Sequence, residues 1–371
     1  MTNEAKSRTA QAAVFRGPVQ PLVLERFPFP ALTGGDALAR IRCATICGSD
    51  LHSFHGRRPA PAPSVLGHEM VGEVVETGPQ GACDYRGNLL SVGDRVTWSM
   101  VWSCGECFYC KRGLRPKCER LRKFGHETIT ADRALFGGLA EYCHLPEKTA
   151  IFRVPPELPD FVASPANCAT ATVAAVFRNA GNMSGQHVVI HGAGMLGLTA
   201  CAMAAAQGAK SVIMIEPGAR RRETALIFGA HHSFDSNESE GALCGKVREL
   251  TDGRGADVGL ELCGQPGAME TGVQLLRPGG RFVMAGATFP ARPVQWSGEQ
   301  VVKRSLQIAG VYNYLPEDLE CALRFLSGQH ERIPFAGLVE KSFSLREVNA
   351  AFDYATTSHP PRVAVLPQTG A

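Results

Sequence analysis

The chain of 371 residues carries thirteen cysteines, and Cys104, Cys107, Cys110 and Cys118 crowd into a single short stretch. Zinc takes four soft ligands in a tetrahedron at about 2.3 Å. The two-residue spacers let tight turns aim two sulfurs at one ion, and the longer third spacer closes the loop. Lys111, Arg112, Arg115 and Lys117 would offset the excess negative charge of four thiolates. A closed four-sulfur site has no open position, so its role is structural. Redox-active or incidental cysteines are the competing reading, and this spacing argues against them.

Three other residues offer an open site. Cys47 lies in CGSDLH, His68 in GHE and Cys168 in ANCATAT. A Cys₂His set with its fourth position open is a catalytic zinc arrangement, where water or a substrate oxygen would be polarised. Taken singly, each residue is better explained as a buried core side chain. Asp50 could hold the ligating histidine by its other ring nitrogen. Glu69 could do similar work, or be a solvated carboxylate.

A glycine loop supplies a third kind of chemistry. Gly192, Gly194 and Gly197 form GxGxxG, with Met195 and Leu196 inside it, after the apolar run HVVI and before a helical stretch. Gly192 permits a tight turn, Gly194 lets the backbone approach a pyrophosphate, and Gly197 lets the helix pack on the strand. The helix N-terminus then faces the phosphates. Glu216 follows Gly192 by 24 residues, the place of an acid on the adenosine ribose. A carboxylate there repels a 2′-phosphate and favours NAD over NADP. Arg220, Arg221 and Arg222 follow, either as a solvated helix face or, with Arg221, as cofactor contacts.

These groups need elements to hold them. LARIRCATI, MVGEVVETG and DRVTWSMVW read as short strands of a β-rich first domain. PELPDFVASPANCATATVAAVFRNAG carries a helical period ending at Gly181. HVVIH, SVIMIE, DVGLEL and RFVMAGA then alternate with helical spacers, the mark of βαβ units and a parallel sheet. PEDLECALRFLSG and LREVNAAFDYA predict two further helices before the strand RVAVLP. That tail is too small for a domain and is expected to pack back on the first one.

Composition sets the outer bounds. Hydrophobic residues make up 44% and charged residues 20%, which excludes a disordered chain. No apolar run of membrane-spanning length occurs; Leu196–Ala206 is too short. The start MTNEAKSRTAQ has no apolar core, so no secretory leader is expected, and a cytoplasmic protein with reduced cysteines is. A net charge of +3 gives no footprint for nucleic acid.

Together the motifs resemble the zinc-dependent medium-chain dehydrogenase/reductase family, the alcohol and polyol dehydrogenase group. CGSDLH (47–52), GHEMVGEVVETG (67–78), VGDRV (92–96), the cysteine lobe, GAGMLG (192–197) and LRPGGRFVMAG (276–286) carry the resemblance. It implies an α/β chain: a GroES-like β-rich catalytic domain over residues 1–167 and 313–371, with a zinc lobe near 100–120. A Rossmann domain with a doubly wound parallel sheet spans residues 168–312, and the active site lies in the cleft. It further implies two zinc ions per chain, NAD, an alcohol or aldehyde substrate, and a homodimer or homotetramer, with no nucleic acid or membrane partner.

By the same resemblance Cys47, His68 and Cys168 hold the catalytic zinc, and Glu69 is the carboxylate near it. Ser49 hydrogen-bonds the substrate oxygen, and His52 completes a proton relay. Thr172 touches the nicotinamide and Arg362 lies near the pyrophosphate. Gly48 stands where some members carry a basic residue on the pyrophosphate, which implies weaker cofactor binding. ATICGSDLH, GRR (56–58), KFGHE (123–127) and ANCATATVAA look like a subgroup associated with phosphonate catabolism. Arg57 and Arg58 at the pocket mouth would suit a phosphonate or other anionic headgroup. Alternatives are an NADP-dependent aldehyde reductase, a polyol dehydrogenase and a non-catalytic NAD-binding regulatory protein.

Overall fold

The computed structural model describes residues 8–131 and 133–368. The expected absence of a leader concerns Met1–Ser7 in the main and so lies largely outside the described residues. Contacts divide the chain into two units. One takes the described residues up to Cys168, with Leu315–His330 and the chain from Phe335 on; the other takes Ala169–Tyr314 and Glu331–Pro334.

The first unit is built on a seven-stranded sheet. Its path runs Ile151–Arg153, Arg95–Trp98, Glu69–Thr77, Ala37–Ile46, Arg362–Leu366 and Val339–Ser344, and Tyr142–Leu145 also pairs with Ala37–Ile46. Inward residues such as Ile41, Met70, Val74, Trp98 and Val365 form one apolar core with Leu66, Phe124 and Phe352. The C-terminal strand lies antiparallel to Ala37–Ile46, with Val363 opposite Ile46. That register places Arg362 beside the end of the strand that leads into Cys47.

The second unit carries a six-stranded parallel sheet in the order His232–Phe234, Ser211–Ile215, His187–His191, Ala256–Glu261, Leu276–Met284, Gln307–Gly310. Numbered within the unit, this is 3-2-1-4-5-6, the Rossmann order. The strands are apolar runs because helices cover both faces. Met195–Ala206, almost wholly small and buried, lies close along the first two strands.

Two expectations change in detail. The helical run ending at Gly181 divides into Asp160–Ala163, a 3₁₀ turn Ser164–Asn167 and the helix Ala169–Ala180. Pro165 lacks an amide hydrogen, and Cys168 leaves helical geometry at φ −132°, ψ −72°. The run DRVTWSMVW likewise splits: Arg95–Trp98 stays in the large sheet, while Val101–Trp102 pairs with Arg122–Lys123. Among the described residues, no helix is long and apolar enough to cross a membrane.

Close backbone packing makes a testable contrast. A Cβ on Gly197 would collide with the Gly192 carbonyl oxygen, whereas Gly245, inside the helix Glu240–Leu250, has nothing within 4 Å of its Cβ position. Gly245→Ala should stabilise by ~0.5–1 kcal/mol. Gly197→Ala should lower the thermal midpoint, and a rise there would contradict the packing described.

Candidate metal centres and cofactor cavity

Cys47 immediately precedes the helix Gly48–Phe54, whose first turn carries Ser49 and Asp50. The buried Asp50 carboxylate accepts from the Cys47 amide at 2.9 Å and the Gly67 amide at 3.3 Å. Its Oδ1 also stands 3.2 Å from His68 Nδ1. One side chain therefore sets the helix start and holds the His68 ring. His68 Nε2 is left facing Ser49 Oγ at 3.2 Å. Cys168, at the helix break, adds its sulfur, and the ligand atoms of Cys47, His68, Glu69 and Cys168 all lie within 4.8 Å of one another.

Glu69 does not behave as the others do. Its two oxygens accept from Arg362 Nε and Nη2, each at 2.6 Å, and from Thr45 Oγ1 at 2.7 Å. Burial pushes its pKa up to about 7, against the pull of the Arg362 guanidinium. Arg362 is only 5% exposed, and its Nη2 lies 3.6 Å from Cys47 Sγ. The resemblance puts Arg362 near a pyrophosphate; the structure places its guanidinium on Glu69 beside the metal-ligand cluster. Cys47 is held well below the usual thiol range, first by the hydrogen bond from Cys168 and then, against burial, by Arg362 and His68. Cys168 is raised in turn by its bond to Cys47. The donor chemistry, two sulfurs and an imidazole with a carboxylate tied elsewhere, fits zinc with one position open.

The lobe is compact and self-contained. Two 3₁₀ turns, Cys110–Arg112 and Arg115–Lys117, are joined through Gly113 at φ +75°. The sulfurs of Cys104 and Cys118 stand 3.5 Å apart, those of Cys107 and Cys118 3.9 Å, and those of Cys104 and Cys110 4.0 Å. A tetrahedron with 2.3 Å arms has edges of about 3.8 Å, so the four thiols match a zinc cage. Backbone amides point at them: those of Cys104 and Arg120 donate to Cys118 Sγ at 3.3 Å. The Glu106 amide leads in lowering Cys104 to about 6. Arg120, which spacing alone did not single out, hydrogen-bonds Cys104 and ion-pairs with Glu106. Arg112 instead stacks over Phe108, 3.6 Å from the ring centroid.

In the second unit a cavity of about 480 Å³ opens at the glycine loop, lined by Gly192, Glu216, Arg221, Ser236 and Gln265 among others. Gly192 has φ +94°, and a Cβ there would meet Cys263. Gly194, at the N-terminus of Met195–Ala206, has open space at its Cβ position, room that a phosphate would need. Glu216, 5% exposed, accepts from the Ala193 amide at 2.8 Å and the Gly218 amide at 3.1 Å. Arg222 is tied to the Glu216 and Pro217 carbonyls and to Asp235, which leaves Arg221 as the arginine of the run that lines the cavity. These residues fit a dinucleotide. Met195 is buried and Leu196 half-buried at the helix start; Thr172 is half-buried in the first turn of Ala169–Ala180.

Around the first cluster, His52 is half-buried, and burial, then Arg57, push its pKa down. The amides of Arg57 and Arg58 both donate to the His52 carbonyl; Arg57 is exposed and Arg58 half-buried. Three nearby residues carry no sequence expectation of their own. Thr45 anchors Glu69, Lys123 feels the charges of Cys168 and Cys47, and the His126 ring lies 5.4 Å from that of His68. The signal for the last two was present in KFGHE, which reads as a motif without revealing where it packs.

The lobe makes its own prediction. Cys107→Ala should bind one zinc fewer per chain by elemental analysis and melt ~5 °C or more lower, because structural metal binding is coupled to folding. Unaltered zinc content would contradict the cage.

Comparison with known proteins completes the picture. The alcohol dehydrogenase GroES-like domain family matches residues 33–156, and the zinc-binding dehydrogenase family matches residues 196–328. An L-threonine 3-dehydrogenase of Pyrococcus horikoshii is 35% identical over 286 residues, covering 75% of each chain. An alcohol dehydrogenase of Thermotoga maritima superposes with a TM-score of 0.90 at 30% identity, over 97% of this chain and 100% of that one. A zinc-binding dehydrogenase of Sinorhizobium meliloti, solved with NADP, gives 0.85 at 26% identity, over 97% and 100%. With its GroES-like unit, its Rossmann sheet and two clusters of zinc-type donors, the chain belongs to the zinc-binding medium-chain alcohol dehydrogenase family.

Proposed function

We propose that the protein is an NAD-dependent alcohol dehydrogenase with two zinc ions per chain, acting on a primary or secondary alcohol that carries an anionic group such as a phosphonate. The observation that carries the reading is the bidentate Arg362–Glu69 pair. It withholds the carboxylate, so Cys47, His68 and Cys168 are three donors with one open position. When bound, zinc supplies a Lewis acid to the alcohol oxygen, and nicotinamide accepts the hydride.

The chain's own residues do the rest. Asp50 fixes the His68 ring, so the donor geometry is set before any substrate arrives. Ser49, 3.2 Å from His68 Nε2, is placed to accept the alcohol proton, and His52 in the same helix passes it outward. Cys104, Cys107, Cys110 and Cys118 hold the second zinc as a structural staple. Gly194 leaves room for the pyrophosphate at the helix N-terminus, Gly192 and Gly197 supply the turn and the close packing that form the loop, and Glu216 takes the adenosine ribose. A reducing, cytoplasmic setting would keep the six zinc-site cysteines as thiols able to ligate the metal. A homo-oligomer is the assembly expected of the family.

A second reading has specific support. The Sinorhizobium neighbour is bound to NADP, and Arg221 lines the cavity next to Glu216. A relative named L-threonine 3-dehydrogenase also makes a hydroxy amino acid, itself bearing a carboxylate, an alternative substrate.

Cys47→Ala should leave a folded chain that loses one zinc and its turnover of every alcohol; retained activity would remove the assigned centre. On the cofactor side, NAD should exceed NADP in kcat/KM by about ten-fold or more. A charged hydrogen bond is worth roughly 1.5–3 kcal/mol, and about 1.4 kcal/mol corresponds to each decade. Glu216→Gln should erode that preference. Equal kcat/KM for the two cofactors in the unsubstituted enzyme would instead give Arg221 a phosphate-binding role.

A further inference from the structure

A second cavity, of about 540 Å³, lies within the first unit, and no residue of the two metal clusters or the glycine loop lines it. The strand Ile151–Arg153 and the segment Asp84–Arg86 contribute to its wall, and the helix Pro316–Gln329 closes it. Glu320, Leu323, Arg324 and Ser327 line it from one face of that helix, at i, i+3, i+4 and i+7. Two links hold the helix to the segment: the Tyr85 hydroxyl donates to Glu317 at 2.5 Å, and Arg86 pairs with Glu320. Small-molecule sites typically enclose about 300–1,000 Å³, with an apolar lining and a few placed polar groups.

The apolar lining here is largely aromatic. Ile151, Phe152 and Leu323 are buried, and the Tyr85 ring stands 5.1 Å from the Phe152 ring at an interplanar angle of 35°. A third ring packs favourably against such a pair, offset or edge-on.

Most of the charge around the cavity is committed. Asp84 pairs with Arg153 and accepts from the Asn88 amide, Arg153 also reaches Asp94, and Arg86 holds Glu320. Two groups of opposite sign remain. Among the described residues Arg324 enters no hydrogen bond or ion pair, and Glu157 accepts the Ser327 hydroxyl but pairs with no cation. Ser327 follows Arg324 by three residues on the same helix face, so its bond to Glu157 holds that carboxylate about one helical turn from Arg324.

A simple anion would answer Arg324 and set its own charge against Glu157; a simple cation would do the reverse. A zwitterion with both charges on one carbon answers both. Its carboxylate meets the planar guanidinium fork, and its ammonium donates to the free oxygen of Glu157. Within a peptide both charges are lost to bonds, and at a chain end only one survives.

We propose that this cavity binds a free aromatic α-amino acid, with its ring on Tyr85 and Phe152, its carboxylate on Arg324 and its ammonium on Glu157. The site stands apart from the dehydrogenase reading and does not depend on it.

Calorimetry on the zinc-loaded full chain tests it with L-phenylalanine, which has no hydroxyl to oxidise, beside 3-phenylpropanoate and 2-phenylethylamine. L-Phenylalanine should bind about ten-fold or more tightly than either, the size of one charged hydrogen bond. Arg324→Gln should weaken L-phenylalanine about ten-fold and leave 2-phenylethylamine unchanged. Glu157→Gln should weaken it by as much and leave 3-phenylpropanoate unchanged. Both side chains are exposed, so both variants should keep the parent's thermal midpoint. Cys47→Ala should bind L-phenylalanine as the parent does; loss of binding there would move the ligand to the metal cluster and overturn the site. No binding of L-phenylalanine at millimolar concentration, either single-charge analogue bound as tightly, or a Kd unmoved by Arg324→Gln and Glu157→Gln would overturn it equally.

Discussion

A buried ion pair organises the first unit. Arg362 and Glu69 sit at 5% and 0% exposure, joined by two 2.6 Å hydrogen bonds. Two charges removed from water are tolerated only when geometry and added hydrogen bonds repay the desolvation. Here Thr45 satisfies one Glu69 oxygen further, and the Pro361 carbonyl takes Arg362 Nη1 at 2.7 Å. Removing one partner of such a pair typically costs about 3–5 kcal/mol. The pair also ties three strands, Ala37–Ile46, Glu69–Thr77 and Arg362–Leu366, at the edge of the metal-ligand cluster. The same contact that joins the C-terminal strand to the sheet keeps a carboxylate away from the open coordination position.

Asp50 plays a similar double part at smaller scale. By accepting the Cys47 amide it secures the first turn of Gly48–Phe54, and by facing His68 Nδ1 it fixes a ligand ring. Helix capping and ligand orientation are then one interaction, so the cluster is preorganised by local secondary structure. The zinc lobe achieves order differently. It has almost no apolar core, only Trp102 and Leu121 packed against its sulfurs, and relies on turn geometry and amide-to-sulfur bonds. Units this small typically draw stability from a metal or a cross-link, where larger ones need only burial.

Much of this was legible in the residues. The lobe sulfurs are near in sequence, and two-residue spacers leave a tight turn few alternatives. GxGxxG after an apolar strand is equally local, because Gly192 must take positive φ and Gly197 must admit the Gly192 carbonyl. The helical period before Gly181 was legible, but its interruption at Cys168 was not. An apolar pattern records which face is buried, not where one residue departs from helical dihedrals to aim a sulfur.

By itself, then, the sequence determined the chemistry available and the local turns: four clustered thiols, a phosphate-type loop, alternating strands and helices in a parallel order. Tertiary structure alone decided which distant groups meet. Arg362 reaches Glu69 because Val363 lies opposite Ile46, and a one-residue slip of that strand would point it to the other face of the sheet. His126 reaches the His68 ring because Gly125 lets its loop pass against Gly67. Contacts of this kind depend on strand register and on the close passage of backbones far apart in the chain. No spacing within a motif encodes either one, because both are set only when the whole sheet and core have packed.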